Sequence, residues 1–342
     1  MTALPCEIPD LIHFLRQLLA QIPRGRVTTY GRLADALGAS IATRWIGHYL
    51  LHHQHHEACP CHRVVQASGQ LGQYIAGGSD AKARRLSDEG IEIVAGRIDL
   101  ESYVFGEFES ERPLAVLRRT QEALAAQVVL APRDDNADAD VPGAIGGVDV
   151  SYTTDGHATA AYALVDSQTR ERVWATTYSQ KVSFPYISSI LVFRELPILL
   201  RLIATVRSQG RLAQVVLVDG SGILHPRRAG LASCLGVLAG VPTIGVTKKL
   251  LQGKVDRNCL EPGQTCPILD EGQVVGTAIR SSRRSKKLIY VSPGHQVDLA
   301  FAQQVVARHL STHRLPEPLY WADRLGKSVT ASGGPQLPRE TA

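Results

Sequence analysis

Two sets of side chains in this sequence could carry out chemistry, and the first is centred on a cysteine. Cys61 is followed directly by His62 and Arg63, and an adjacent imidazole and guanidinium favour the thiolate form of a thiol. A thiolate can act as a nucleophile. A buried structural cysteine is the alternative interpretation, and the residue pair alone does not decide between the two.

Histidines and cysteines are crowded into residues 52–62, so metal binding is a third interpretation of the same segment. The potential ligands are His52, His53, His55, His56, Cys59, Cys61 and His62. Zinc sites usually take two thiolates from a Cys-x-x-Cys pair, whereas here a single residue separates the cysteines. This spacing argues against a structural zinc ion.

The second set consists of carboxylates near the ends of apolar segments. Asp149 lies in the run 147–150 and Asp219 follows the run 216–218, so two adjacent strands could direct both side chains at one cation. Oxygen ligands of this kind favour Mg²⁺. Aspartates at strand ends also commonly cap loops, and Glu195, in a helical segment, could equally be a solvated side chain.

Two further patterns do not predict a site. An acidic loop over 132–142 lacks the glycine and terminal glutamate of an EF-hand, so a solvated loop is the better interpretation; its acidic residues are Asp134, Asp135, Asp138 and Asp140. The segment 220–222 does not match the Gly-x-Ser-x-Gly pattern of a serine nucleophile.

Short elements must position the cysteine. Apolar residues at helical spacing predict a helix over 11–22, and a short strand and helix follow over 27–37. Gly38 breaks that helix, and Ser40 can cap a second one that reaches about residue 51. Two short helices around a glycine turn predict a helix-turn-helix.

The carboxylates lie in a segment where strands and helices alternate, which predicts an α/β domain. A helix over 114–129 precedes it. The predicted strands cover 144–152, 158–166, 172–180, 213–219 and 243–246, and the predicted helices cover 190–207 and 230–238. These patterns predict a domain over 1–108, a linker over 109–116, a second domain over 117–325 and a disordered tail over 326–342.

The bulk composition fits a globular chain of about two domains. The 342 residues are 44% hydrophobic and 20% charged, and one hydrophobic core rarely serves a chain of this length. The net charge of +5 permits a polyanionic partner without requiring one. Six scattered cysteines do not resemble a secreted disulfide framework, and the sequence shows neither an export signal nor an apolar run that could span a membrane. We expect a cytoplasmic protein.

Over residues 11–105 the sequence resembles the O6-alkylguanine-DNA alkyltransferases. The motifs that carry the resemblance are 22–31 (IPRGRVTTYG), 44–47 (RWIG), 60–65 (PCHRVV), 72–74 (GQY), Lys82 and 89–90 (EG). The resemblance implies a winged helix-turn-helix domain that binds damaged DNA and takes the alkyl group from O6-alkylguanine irreversibly onto its own cysteine.

The same resemblance implies a relay in which Glu89 orients His62 and His62 removes the proton from Cys61. Arg44 would take the space of the extruded base and Tyr30 would press on its phosphate. Tyr74 and Lys82 would line the guanine pocket.

Two departures from the alkyltransferase pattern qualify this prediction. The family's small N-terminal domain has no counterpart, and His53 stands where the family usually has asparagine. A non-catalytic module that binds alkylated DNA and guides a nuclease is therefore an alternative, although such relatives carry tryptophan where this chain has Cys61.

Over residues 117–325 the sequence resembles endonuclease V. The shared motifs are 147–152 (GVDVSY), 184–187 (FPYI), 193–195 (FRE), 218–228 (VDGSGILHPRR), 245–249 (GVTKK) and 294–295 (GH). The resemblance implies a ribonuclease H-like α/β fold and Mg²⁺-dependent nicking of DNA on the 3′ side of deaminated bases such as hypoxanthine.

In that family the metal ligands map onto Asp149, Glu195 and Asp219, with Mn²⁺ as a substitute for Mg²⁺. Lys248, His225 and His295 would neutralise or position phosphate oxygens, Tyr186 would be the wedge that fills the gap left by the lesion base, and Gly220 would border its pocket. Ser189 replaces a glycine usual in the family, and serine resists backbone dihedrals that glycine tolerates.

The sequence as a whole therefore predicts an α/β chain in which an alkyltransferase domain precedes a nuclease domain. Damaged DNA containing O6-alkylguanine or deoxyinosine is the expected partner, and no membrane is involved. Because the metal chemistry does not require a deoxyribose, inosine in RNA is an alternative substrate of the nuclease. The sequence does not identify protein partners.

Overall fold

The computed structural model of the chain describes residues 4–130, 141–256, 264–281 and 287–331. It contains two compact units. One comprises Glu7–Arg119 with Phe184–Ile190, and the other comprises residues 4–6, Thr120–Ser183 and the described residues from Leu191 onwards. The division falls between residues 119 and 120, inside a helix, whereas the sequence predicts a linker over 109–116. The predicted acidic loop lies almost entirely outside the described residues.

The N-terminal part of the chain is built from short helices and a two-stranded parallel sheet. The strands pair Thr28 with Val64 and Thr29 with Val65. Its elements are α1 (Leu11–Ala20), β1 (Thr28–Thr29), α2 (Tyr30–Leu37), α3 (Thr43–His52), β2 (Val64–Val65), α4 (Gly78–Asp88), α5 (Leu100–Tyr103) and α6 (Pro113–Ala125).

Helices α2 and α3 form the predicted helix-turn-helix. The Thr29 side chain accepts a hydrogen bond from the Arg32 amide and caps α2, and Gly38 ends that helix with a φ of 97°, which glycine adopts readily. The prediction that Ser40 caps the second helix is wrong. Ser40 begins a short 3-10 helix instead, and α3 starts at Thr43 without a side-chain cap.

The second unit is organised around one mixed eight-stranded sheet with strand order β5-β4-β3-β6-β7-β10-β9-β8. The strands are β3 (Ala144–Tyr152), β4 (His157–Asp166), β5 (Arg172–Lys181), β6 (Val216–Asp219), β7 (Thr243–Thr247), β8 (Thr265–Asp270), β9 (Gln273–Ile279) and β10 (Ile289–His295). The helices that follow α6 are α7 (Val192–Ser208), α8 (Leu231–Ala239), α9 (Leu299–Arg308) and α10 (Glu317–Ala331).

The central strands β3, β6 and β7 run parallel and place the predicted carboxylates side by side. Val148 pairs with Val218, so Asp149 and Asp219 are the next residues along two neighbouring strands, which lie about 5 Å apart. The predicted strands and helices of this region are present. Only the strand predicted over 213–219 begins later, at Val216.

Helix α10 continues to Ala331, so the prediction of a disordered tail is wrong for residues 326–331. The helix packs along β3 through small residues. A side chain at Gly147 would lie 2.3 Å from the Pro318 carbonyl carbon, and one at Gly326 would lie 2.8 Å from the Ser151 hydroxyl oxygen. The close packing of α10 on β3 explains why the helix extends beyond the predicted end; residues 332–342 lie outside the described part.

None of the described helices combines the length and apolar character needed to span a bilayer.

Ser189, which stands where the resemblance places a glycine, has a φ of 60°, in the left-handed region that glycine adopts more readily than serine. A β-branched side chain tolerates this region poorly. We expect Ser189→Val to lower the free energy of unfolding by about 1–2 kcal/mol, measured by urea denaturation. The neighbouring, exposed Ser188 supplies the control: equal losses in Ser188→Val and Ser189→Val would contradict a backbone origin.

Candidate active sites

Cys61 lies in a 3-10 helix, Pro60–Arg63, that leads directly into β2. Only 4% of its surface is exposed. Proline at the first position of this turn fixes φ and requires no amide hydrogen bond. The sequence PCHR therefore holds the thiol rigidly beneath the surface of the first unit.

A charged network surrounds the histidine that follows. His62 Nε2 lies 2.8 Å from Glu89 Oε1, and the Arg63 guanidinium donates to both carboxylate oxygens at 2.8 to 3.1 Å. Burial alone would raise the pKa of Glu89, but the hydrogen bonds from Arg63 and His62 lower it to about 2. Glu89 is thus a fixed carboxylate that can orient the imidazole.

His62 itself is kept neutral, because burial lowers its pKa more than Glu89 raises it. Its other ring nitrogen, Nδ1, is buried and makes no hydrogen bond of ordinary geometry among the described residues, although a contact with the Cys59 backbone acts to raise the His62 pKa. A neutral imidazole can accept a proton. The structure therefore brings Glu89 and His62 together as predicted, whereas the ring nitrogen in contact with the Cys61 sulfur belongs to His55, at 3.6 Å.

Replacing Glu89 should destabilise the first unit in a pH-dependent way. The folded-state pKa of about 2 lies below the ordinary value of 4.5, so the carboxylate stabilises the fold above about pH 4.5, and this contribution is lost as the pH falls toward 2. We expect Glu89→Gln to cost about 2 kcal/mol at pH 7 and much less at pH 3, measured by urea denaturation.

The exposed neighbour Glu92 provides a matched control, because Glu92→Gln should leave stability unchanged at both pH values. A Glu89→Gln deficit that is as large at pH 3 as at pH 7 would contradict an electrostatic origin.

A second thiol lies beside the predicted nucleophile. Cys59 Sγ is 3.4 Å from His53 Nε2, and the hydrogen bond between the two sulfurs lowers the pKa of Cys59 to about 4. That same hydrogen bond, together with burial, raises the pKa of Cys61. Of the two thiols, Cys61 is therefore the one that keeps its proton. A base must remove that proton before the sulfur can act as a nucleophile.

The predicted DNA contacts divide into exposed and buried residues. Arg44 is exposed on α3, as a residue that enters DNA must be. Tyr30 is the first residue of α2. Burial raises the pKa of Tyr30, and the negative charge of a Cys61 thiolate would raise it further. Tyr74 is buried and its hydroxyl lies 3.2 Å from His55 Nε2. Lys82 is fully buried and donates to the carbonyl oxygens of Val64 and Leu71.

The position of Lys82 indicates a supporting role in this pocket. Lys82 is 1% exposed, and its ammonium binds the carbonyls of Val64 and Leu71, so it ties together two points of the chain that follows the thiol. Burial lowers the pKa of Lys82 to about 8, although the Cys61 thiolate would raise it. The lysine thus lies within electrostatic range of the nucleophile.

In the second unit, Asp149, Glu195 and Asp219 form a partly buried acidic group. Burial and then the Asp219 charge raise the pKa of Asp149 to about 8, and burial raises that of Glu195 to about 7 while Tyr152 donates to its Oε1 at 3.2 Å. Several carboxylates this close repel one another unless a proton or cation lies between them. The donor set, all oxygen, suits a hard divalent cation.

Lys248 and Asp323 lie beside these carboxylates. The sequence analysis did not identify Asp323 as a site residue. Lys248 Nζ donates to Asp219 Oδ2 at 2.6 Å and lies 3.9 Å from Asp323 Oδ1. The Asp323 charge also contributes to the raised pKa of Asp149. The sequence does contain an indication that Asp323 faces the interior. It lies four residues after Leu319 and three before Gly326, both buried, and so shares their face of the helix.

One of the two predicted phosphate-binding histidines, His225, follows β6, and the other, His295, is the last residue of β10. His225 is buried and accepts a hydrogen bond from the Arg227 amide at 3.2 Å. His295 pairs with Thr243 at the far end of β7, about 13 Å along the strand from Thr247. There it accepts from the Val129 amide. Because β10 runs antiparallel to β7, His295 lies away from the strand ends that carry Asp149 and Asp219, and its predicted contact with phosphate oxygens stays a prediction.

The predicted lesion-recognition residues are placed as follows. Tyr186 is 65% exposed, so it is available as a wedge and is not part of a core. Gly220 directly follows the Asp219 ligand position, and its amide donates to the Val246 carbonyl at 3.2 Å. The backbone of Gly220 is therefore held at the sheet end where the carboxylates lie.

Comparison with known proteins yields two family matches in the same chain. Residues 122–324 match the family model for endonuclease V, and residues 14–91 match the DNA-binding domain of 6-O-methylguanine DNA methyltransferase. The first match alone covers more than half of the chain.

Some similar proteins match nearly the whole chain, and others match only its C-terminal part. A bifunctional methyltransferase/endonuclease of Picrophilus torridus is 36% identical over 311 residues, which is 91% of this chain and 93% of that protein. Endonuclease V of Azotobacter vinelandii is 44% identical over 209 residues, 61% of this chain and 90% of that protein.

Among solved structures, the catalytic domain of human endonuclease V is 34% identical with a TM-score of 0.60, covering 64% of this chain and 96% of that one. Endonuclease V of Ciona intestinalis, in complex with DNA containing an inosine followed by a ribo-adenosine, is 26–27% identical with a TM-score of 0.58, covering 65–66% of this chain and 99% of that one.

Proposed function

Because the chain belongs to the endonuclease V family and, over nine-tenths of its length, to the bifunctional methyltransferase/endonucleases, we propose that it repairs two kinds of DNA damage. Residues 1–108 would take alkyl groups from O6-alkylguanine, and residues 117–325 would nick DNA on the 3′ side of deaminated bases. The observation that carries this proposal is that one chain holds both a Cys-His-Glu site, with its thiol and imidazole buried, and a partly buried group of carboxylates.

In the alkyl transfer, Cys61 is the acceptor and the neutral His62 is the base that Glu89 orients. The Cys61 sulfur attacks the O6-alkyl carbon, the carbon–oxygen bond breaks, and guanine leaves with the electron pair on oxygen and takes up a proton. Tyr74 and Lys82 shape the guanine pocket, while Arg44 and Tyr30 hold the DNA from which the base is extruded. Each chain can act once.

For the nuclease, Asp149, Glu195 and Asp219 would hold a divalent metal ion, which we propose to be Mg²⁺ with Mn²⁺ as a substitute. The raised pKa values of Asp149 and Glu195 support the fit, because a cation would replace the protons that these carboxylates otherwise retain. When bound, the metal supplies Lewis-acid activation of the scissile phosphate.

The protein side chains would perform the remaining steps of nicking. The Lys248 ammonium, now paired with Asp219, would neutralise a phosphate oxygen. Tyr186 would occupy the space left by the lesion base, and Gly220 would border the pocket that receives it. The role of His225 stays a prediction.

The nuclease proposal is tested by incubating the full chain with labelled duplexes that contain deoxyinosine or inosine in RNA, each against an undamaged duplex. We expect nicking of the deoxyinosine duplex with Mg²⁺ or Mn²⁺ and none after chelation. Faster cleavage of the RNA in direct competition would redirect the proposal to inosine in RNA, and cleavage that survives chelation would overturn the metal site.

Asp323 should contribute to nicking although it belongs to no sequence motif identified above. Its carboxylate lies near Lys248 and Asp149, where it would position the lysine and support the metal ligands. We expect Asp323→Asn to lower the nicking rate by about 10- to 100-fold and to raise the Mg²⁺ concentration needed for half-maximal rate. Ser328→Ala, an exposed change on the same helix, should change neither quantity; an unaltered Asp323→Asn rate would contradict this role.

The five cysteines of the described residues are free thiols, with no disulfide between them. Reduced thiols and a thiol nucleophile are suited to a reducing compartment, and we place the protein in the cytoplasm.

A further inference from the structure

Four metal-ligand side chains converge at the predicted nucleophile. One donor atom from each of His53, His55, Cys59 and Cys61 lies within 4.8 Å of the other three. The two sulfurs are buried and the two histidines are partly exposed, so an ion could reach the cluster from solvent. Among the described residues, this is the one group of its kind, and the alkyl-transfer mechanism uses only one of its four members.

The distances fit a tetrahedral ion. With zinc–sulfur and zinc–nitrogen bonds of about 2.3 and 2.0–2.1 Å, the sulfur and nitrogen atoms of a tetrahedral site are about 3.6 Å apart. The structure has 3.4 Å between Cys59 Sγ and His53 Nε2 and 3.6 Å between Cys61 Sγ and His55 Nδ1. Two cysteine–histidine edges of the tetrahedron are therefore already formed.

The backbone and neighbouring side chains hold these donors in place. His53 follows the last residue of α3, and its amide bonds to the Tyr49 carbonyl at 2.9 Å. The Cys59 amide bonds to the His56 carbonyl at 2.9 Å. The second ring nitrogen of His55 lies 3.2 Å from the Tyr74 hydroxyl, and metal-bound histidines usually have such a partner on the other nitrogen.

We propose that His53, His55, Cys59 and Cys61 bind one zinc ion, so that the acceptor cysteine is also a metal ligand. Two thiolates and two imidazoles are a preferred donor set for zinc. The Cys-x-Cys spacing argued against zinc only as long as both thiolates had to come from a Cys-x-x-Cys pair. Here each cysteine is matched instead with a histidine six residues earlier in the chain.

The proposed zinc site builds on the proposed alkyl transfer, and alkylation of Cys61 should change metal binding. Transfer forms a sulfur–carbon bond at Cys61 and breaks the O6–carbon bond, so an anionic thiolate ligand becomes a neutral thioether. A thioether is a weaker ligand for zinc than a thiolate. Alkylation should therefore weaken metal binding by at least about tenfold, a change comparable with the loss of a supporting metal contact.

The test is a titration of the metal-free full chain with Co²⁺, which takes zinc sites and reports them by absorption. We expect the intense visible bands of tetrahedral cobalt and a thiolate-to-cobalt band in the near ultraviolet, at one ion per chain, and displacement of both by zinc. The carboxylate group offers only oxygen ligands, so Asp149→Ala should leave the thiolate band unchanged.

Matched variants separate this site from adventitious binding. His53→Asn should reduce cobalt affinity by at least about tenfold, whereas His56→Asn, an exposed change three residues away, should not. Cys59→Ser should remove part of the thiolate band, with circular dichroism confirming that each variant is folded. Absence of tetrahedral bands in the wild type, or equal affinity in His53→Asn and His56→Asn, would overturn the proposal.

Failure of the metal site and failure of alkyl transfer give different results. The cobalt spectrum requires no DNA, so a normal spectrum without methyl gain from an O6-methylguanine duplex would leave the metal site intact and refute the transfer. Methyl gain without tetrahedral bands would support the transfer and refute the metal site. If both are observed, loss of thiolate absorption after methylation supports the link, and an unchanged spectrum contradicts it.

Discussion

Asp149→Ala is expected to lower the nicking rate on a deoxyinosine duplex by at least about a thousandfold. Burial, then the charge of Asp219 on the neighbouring strand, and to a smaller extent that of Asp323 on α10, raise the pKa of Asp149 to about 8. Removal of this carboxylate takes away one of the three proposed metal ligands. Single-turnover cleavage of a labelled duplex at saturating Mg²⁺ measures the loss.

The control for this prediction is Asp155→Ala, which removes an exposed aspartate of the same unit and should leave nicking unchanged. Asp149→Ala should also gain a methyl group from an O6-methylguanine duplex as the wild type does. A variant that cuts at the wild-type rate would refute the assignment of the nuclease site.

Cys61→Ala is expected to abolish alkyl transfer completely, because the transferred carbon forms its new bond to this sulfur. Nicking of a deoxyinosine duplex should continue at the wild-type rate. Transfer is measured as the fraction of chains whose intact mass rises by one methyl group.

Cys6→Ala is the matched control, since Cys6 is a free cysteine outside the unit that contains the proposed site, and it should retain full transfer. If Cys61→Ala still gained the methyl group, Cys59 would be the first alternative acceptor to examine by peptide mapping.

The secondary structure could be predicted from the sequence where the pattern of residues within one segment determines it. The alternation in 144–152 and the apolar run before Asp219 predict two strands, and the sheet places their carboxylates on adjacent strands. Gly38 likewise predicts the turn between α2 and α3. Ser40 is not the cap of α3 because it lies within a 3-10 turn, Ser40–Ala42, that precedes the helix.

The rest depends on contacts between distant segments, which no local pattern contains. Asp323 reaches Lys248 because α10 packs on β3 at Gly147, and His295 is removed from the carboxylates by the antiparallel direction of β10. Similarly, the spacing of Cys59 and Cys61 argued against zinc, whereas the return of the chain after α3 places a histidine beside each sulfur.

The central claim, that one chain both accepts an alkyl group and nicks DNA, is tested most directly by the intact mass of the wild-type protein. The protein is incubated with an O6-methylguanine duplex in a preparation already shown to nick deoxyinosine DNA. We predict a gain of one methyl group per chain that stops at this stoichiometry and is absent with an unmodified duplex. No gain in mass while the damaged duplex is still bound would contradict the claim and make the first unit a damage sensor for the nuclease.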